Sequence, residues 1–147
     1  FIGAFFFFSG ILVYSTKFSR ERKEEVGFFD SIIIGIFQAI AILPGISRSG
    51  ATISAGLFRG MKRKKAVEFS FLLAIFIILG ASFFEAKNII YSEINFPLLV
   101  ISFGITFFIS LLTINLLLKI IDKDKFYLFG VYNIILGIIV LFYKFLF

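Results

Sequence analysis

Polar residues in this chain are gathered into short runs that separate long apolar ones. The first apolar stretch, Phe1 to Thr16, gives way to a charged segment in which Lys17, Arg20, Arg22 and Lys23 stand against Glu21, Glu24 and Glu25. A shorter limb, Ile32 to Leu43, is apolar apart from Gln38 and stops at Pro44-Gly45. After the polar cluster Ser47-Arg48-Ser49 a second limb runs from Ala51 to Phe58 and stops before Gly60 and the basic run Lys62-Arg63-Lys64-Lys65. Three long apolar stretches complete the chain, 66–86, 96–118 and 126–147, joined by Lys87–Asn95 and Lys119–Lys125.

This pattern predicts an all-α, polytopic membrane protein forming a single membrane domain over 1–147. Each long stretch has about 20 residues or more, enough to cross a hydrocarbon core of roughly 30 Å at about 1.5 Å per residue. Residues 1–16 read as a partial span. Asp30 or Ser31 is placed to cap the first limb, Pro44-Gly45 to end it, and Pro97 to sit in a first helical turn.

The two limbs of 30–59 are too short for two spans, since 51–58 makes only about 12 Å of helix. They form either a re-entrant hairpin that returns to its starting side or one broken crossing. Loop charge separates the two. A re-entrant hairpin puts the basic residues of 17–23, 59–65 and 119–125 on one side and leaves only Lys87 and Lys144 on the other. A single crossing divides them almost evenly. The re-entrant arrangement is therefore expected, entering from the cytoplasm, with an extracytoplasmic C-terminus. Irregular backbone at the tip requires burial in protein or a wet cavity.

Composition supports the membrane reading. The chain is 60% hydrophobic, 20% aromatic and only 16% charged, where soluble domains average about 25% charged. Without His or Cys, any metal site has only oxygen ligands, which favours magnesium or calcium over zinc. A net charge of +6 in such a chain orients loops in a bilayer and does not indicate nucleic acid. The chain is apolar from Phe1, with no initiator Met and no basic leader region, so it is expected to be a C-terminal fragment of a longer protein.

One stretch does not suit a lipid-facing helix: Pro44-Gly45-Ile46-Ser47-Arg48-Ser49-Gly50-Ala51-Thr52. A charge at membrane depth costs at least roughly 2.5–3.5 kcal/mol. A helix starting at a re-entrant tip presents unpaired amides and its positive dipole end. Gly45 and Gly50 let backbone approach a ligand, Ser47, Ser49 and Thr52 supply hydroxyls, and Arg48 supplies a five-donor fork. Such a set binds an anion, and the fork suits phosphate. Gln38 has two roles open to it, a hydrogen bond across the hairpin or a substrate contact. Glu68 reads as a helix-start carboxylate favourable to the dipole.

The run from Gln38 through the nine residues Pro44 to Thr52, followed by Glu68-Phe69-Ser70-Phe71-Leu72-Leu73-Ala74-Ile75 and the ending Tyr132-Asn133-Ile134-Ile135-Leu136-Gly137, resembles the bacitracin-resistance type of undecaprenyl-diphosphate phosphatase. The resemblance extends over essentially the whole chain. It implies a polytopic enzyme of the bacterial inner membrane that removes one phosphate from the polyprenyl diphosphate carrier, recycling it for cell-wall synthesis. It implies two inverted repeats, each with a re-entrant hairpin, of which this chain is the second, and a tip that opens toward the outer face. Carried over by position, Arg48 binds the diphosphate and stabilises the transition state. Ser47 and Thr52 hydrogen-bond the phosphate, with Ser49 and the Gly50 amide as support; Gly45 and Gln38 stand beside them as candidate substrate contacts from the reading of the residues alone. The partners implied are the lipid substrate and the bilayer, with a homodimer open.

The family's other, glutamate-rich motif with its histidine has no match here. A divalent cation, magnesium or calcium, is expected to find its ligands there, and the fragment alone is expected to be inactive. Phe76 stands where the family commonly has proline and Asn133 where arginine is usual; neither touches the motif. A transporter or flippase for an anionic solute or phospholipid is the alternative, because half-helix anion sites are standard transporter parts.

Overall fold

The computed structural model describes residues 2–23, 25–86 and 95–146. Among them the chain is helical, with turns and one isolated bridge between Lys23 and Met61. The helices are α1 (Ile2–Ser15, continued by a 3₁₀ turn Thr16–Phe18), α2 (Phe28–Ile40), α3 (Arg48–Phe58), α4 (Arg63–Glu85), α5 (Phe96–Asp122) and α6 (Tyr127–Leu146). Most of the Lys87–Asn95 join lies outside the described residues.

Helix ends differ from the sequence expectation for local reasons. α2 starts at Phe28, before Asp30, because Gly27 takes the extended cap conformation and Asp30 Oδ2 reaches back to accept its N–H at 3.2 Å. Asp30 is thus the third helical residue, making half of a capping box. α4 starts within the basic run, since Arg and Lys are good helix formers. α5 continues past Leu118 to Asp122 because nothing breaks it before Asp124, which takes φ 57, a value that Asp tolerates.

α2 and α3 form a tight antiparallel hairpin whose outer ends meet. Asp30, 3% exposed at its side chain, accepts from Arg59 Nε at 2.6 Å and from Lys23 Nζ at 3.3 Å. Leaving that buried carboxylate unpaired would cost about 3–5 kcal/mol, so the triad pins start to finish. Between the helices, residues 41–46 descend in successive turns. Gly45 makes the reversal at φ 102, where a Cβ would also fall 2.8 Å from Ile2 O on α1.

The same end of the molecule collects the basic loops. Arg22 and Lys23 both donate their amides to Gly60 O, at 2.8 and 2.9 Å, and Lys62 donates to Lys23 O at 3.1 Å. Arg63 pairs with Glu21 and, at 3.1 Å, with Asp124 in the α5–α6 turn. Lys17 lies 5.2 Å from the ring centroid of Tyr127, which packs edge-on against Tyr14.

α3 sits at the centre. Its run Gly50–Gly56, small at every position but Ile53, is buried and allows α1, α2 and α4 to close around it. Ile53 and Leu57 join Val13, Ile34, Met61, Ala66, Val67, Ile121 and Phe126 in the core. α1 and α6 run antiparallel with glycines paired across them: Gly3 against Gly137 and Gly10 against Gly130. Each helix repeats its glycine after seven residues, about two turns, so one face of each is bare backbone. α4 and α5 expose phenylalanine, leucine and isoleucine widely. Both are long and apolar enough to cross a membrane, with mean hydropathy 2.3, and an exposed helix that is apolar all round requires lipid.

Candidate functional site

The hairpin tip is built by Ser47. It holds the extended conformation of a helix cap and its Oγ accepts the Gly50 N–H at 3.1 Å, satisfying one orphan amide of α3. Its own N–H donates to Ser9 Oγ at 3.1 Å. Ser9 is fully buried on α1 and fastens the tip to the bundle. The sequence reading missed it, although a hydroxyl beside Gly10 in a phenylalanine run was the available signal. Gly50 is glycine for a packing reason: a Cβ there would lie 2.9 Å from Ser47 Oγ and 3.0 Å from Val13 Cγ2.

Arg48 and Ser49 open α3 and are exposed. Their amides precede the helical ladder and have no intrahelical acceptor, and the positive end of the dipole adds to them. No carboxylate among the described residues pairs with Arg48. The three polar side chains fan apart. Ser47, Ser49 and Gly50 border a cleft of about 360 Å³ walled by α1, α5 and α6, including Leu116, Ile120, Phe129 and Tyr132. Arg48 faces a hollow of about 340 Å³ with Gln38 and Ile77, and a second of about 330 Å³ shared with Ser49 and Ser70. Ser49 is thus common to the Ser47 cleft and one Arg48 hollow.

The other expected site residues have different surroundings. Thr52 is 1% exposed; its hydroxyl lies 2.6 Å from Ser70 Oγ and 3.0 Å from Arg48 O, tying α3 to α4. The Gly50 amide is already given to Ser47, and Gly45 packs on α1. Gln38 is 9% exposed and its buried Oε1 has no hydrogen-bond partner, although it borders the Arg48 hollow. Asn133, which the sequence reading left away from the motif, lines the same cleft as Ser47 and Ser49. Glu68 is half-buried and paired with Lys65 at 3.0 Å.

Thr52→Val keeps its shape but strips Ser70 of its partner, and should lower stability by about 1–2 kcal/mol, whereas Thr52→Ser keeps the hydroxyl pair and loses one buried methyl, at a cost of about 0.5–1.5 kcal/mol. Thermal unfolding of both variants in detergent checks this; a Val variant with unchanged Tm but weakened phosphate binding would instead make Thr52 a direct ligand.

The polar side chains lining these hollows are hydroxyls, the Gln38 and Asn133 carboxamides and the Arg48 guanidinium, with no carboxylate among the described residues. No cluster of three or more Asp, Glu, His or Cys exists among the described residues. These residues do not fit a magnesium or calcium ion, and no chemical step is assigned to one. They fit an anion with an apolar body.

A family model described as bacitracin resistance protein BacA matches residues 1–139. Among curated proteins, an undecaprenyl-diphosphatase of Leptospira borgpetersenii is 38% identical over 148 residues, covering 95% of this chain and 53% of its own length. One from Leptospira interrogans is 41% identical over 142 residues, covering 91% and 50%. Undecaprenyl-diphosphatase 2 of Shewanella oneidensis is 43% identical over 130 residues, covering 86% and 48%. The chain spans about half the length of these relatives.

Proposed function

We propose, from the premise that this chain belongs to the bacitracin resistance protein BacA family, that it carries the phosphate-binding part of an undecaprenyl-diphosphatase. The observation that carries this reading is the open N-terminus of α3, with exposed Ser49 beside an apolar cleft and Arg48 without an ion pair among the described residues. The substrate has the same two parts, a diphosphate and a long isoprenoid body.

In this reading the terminal phosphate docks at the Arg48 and Ser49 amides. The Arg48 fork grips it from the α4 side, and Ser47, oriented by the Gly50 N–H on its lone pair, donates its proton from the other. The isoprenoid lies along Leu116, Phe129 and Tyr132. Water attacks the terminal phosphorus, the bond to the bridging oxygen breaks, and the lipid monophosphate and inorganic phosphate leave. Charge spreads over the phosphoryl oxygens in the transition state, where fixed donors contribute most.

In the membrane, α2 and α3 form a re-entrant hairpin that enters from the cytoplasmic side. The gathering of the basic loops at one end, together with the meeting of Asp30 with Arg59, supports this. The chain then corresponds to the second of two inverted repeats in the inner membrane, with its C-terminus outside, serving carrier recycling for the cell wall and bacitracin resistance.

The test is phosphate release from undecaprenyl diphosphate by the purified full-length protein in detergent. Release of one phosphate per lipid is expected. Anion flux in sealed vesicles without hydrolysis would replace this reading with the transporter one.

A further inference from the structure

A basic cleft lies at the other end of α3 from Ser47. There a cleft of about 560 Å³ opens between the loop after α1 and the end of α3, lined by Arg20, Arg22, Lys23 and Arg59 with Phe18 and Phe58 at its edge. Among the described residues no carboxylate lines it. Lys23 and Arg59 share the single charge of Asp30, so that triad carries a net positive charge. Arg59 gives Nε to Asp30, and its two terminal nitrogens have no hydrogen-bond partner among the described residues. Arg20 and Arg22 are exposed and enter no ion pair among the described residues.

The cleft is also built in advance. Its two walls are stitched by the Arg22 and Lys23 amides on Gly60 O and by Lys62 N–H on Lys23 O, so the cations are held together without a ligand. Surface lysines that merely orient a chain need no such frame. The hydroxyls nearby are committed, Ser15 to Ile11 O and Ser19 to Thr16 O, which leaves the guanidinium groups as the available donors. Phe18 is 74% exposed and Phe58 45% exposed. Aromatic rings beside guanidinium groups at the end of apolar helices match the boundary between headgroup and acyl chain.

We propose that this cleft binds the phosphate of an anionic phospholipid, with Arg20, Arg22 and Arg59 on the headgroup and Phe18 and Phe58 against the first methylenes. Basic pockets between membrane helices hold anionic headgroups in this way. The proposal is independent of the catalytic reading of the hairpin tip, because it uses none of the tip residues.

The experiment measures binding of a short-chain phosphatidylglycerol to the full-length protein in nonionic detergent at about 0.15 M salt, with the matching phosphatidylcholine and inorganic phosphate as parallel ligands. Saturable binding of phosphatidylglycerol alone is expected, weakened about tenfold or more by Arg20→Gln with Arg22→Gln, since charge-assisted contacts are lost. Both arginines are exposed, so the double variant should fold. Lys64→Gln with Lys65→Gln removes the same charge outside the cleft and should change affinity by less than about twofold. Equal losses in the two double variants would reduce the effect to net charge and overturn the proposal, as would unchanged binding after the arginine changes. Inorganic phosphate binding as tightly as the lipid would overturn the lipid assignment and leave a free-phosphate site.

Discussion

Arg48→Ala in the full-length protein is expected to reduce phosphate release by about 10²–10³-fold, the range for removing a preorganised donor from a developing oxyanion. The loss should fall mainly in kcat, because a donor aimed at transition-state charge contributes little to the ground state. Arg48→Lys should recover only part of the rate: the charge returns but the planar fork does not. Arg48 is exposed and has no ion pair among the described residues, so neither change should move Tm by more than the scatter of the measurement. A large drop in Tm alongside the lost rate would turn Arg48 into a structural residue. Hydrolysis at the wild-type rate would remove it from the site altogether.

That residue was legible in the sequence because its surroundings made it costly. A guanidinium between two apolar limbs has few uses, and flanking hydroxyls narrow them to anions. That two short helices flank the tip was nearly as plain, since Pro44-Gly45 and Gly60 interrupt the apolar limbs, but α2 ends at Ile40, short of the expected Leu43, because residues 41–46 already turn. What each small residue does at the tip was not legible. Gly45, Gly50 and Thr52 all read as parts of a phosphate cradle by composition. The structure uses Gly45 to clear Ile2 O, Gly50 to clear Val13 and Thr52 to bond Ser70. A motif names residue types; it does not say which of them face a ligand and which face a neighbouring helix.

Ser9 shows the same limit from the other side. It holds the Ser47 amide across 38 positions of sequence, and no local pattern pairs a lone hydroxyl in α1 with a loop so far downstream. Asn133 enters the cleft for the same reason, since the packing of α6 on α1 places it there and its own segment is otherwise uniformly apolar. The start of α2 was misplaced more locally: Asp30 caps from the third helical position, which becomes visible only once Gly27 is seen extended.

Packing of α1 on α6 is where a single atom should do most damage. A Cβ added at Gly130 would lie against Tyr14 N and 2.7 Å from Gly10 O, and one added at Gly137 would lie 2.7 Å from Phe7 N. These obstacles are backbone, which cannot rotate away as a side chain can. Gly130→Ala is therefore expected to push the helices apart at a cost of about 3 kcal/mol or more, at or above the upper end for overpacking. For a protein of this size or somewhat larger, that lowers Tm by roughly 6–12 °C. Gly35, Gly80 and Gly104 provide the comparison, because a Cβ at any of them meets nothing within 4 Å. Alanine at those three should be neutral or stabilising by up to about 1 kcal/mol through helix propensity alone. The damage should also reach the tip, since α1 carries Ser9 and α6 forms the far wall of the Ser47 cleft. Phosphate release by Gly130→Ala is expected to fall even at temperatures where the protein remains folded, and release unchanged in such a variant would separate the α1–α6 seam from the site.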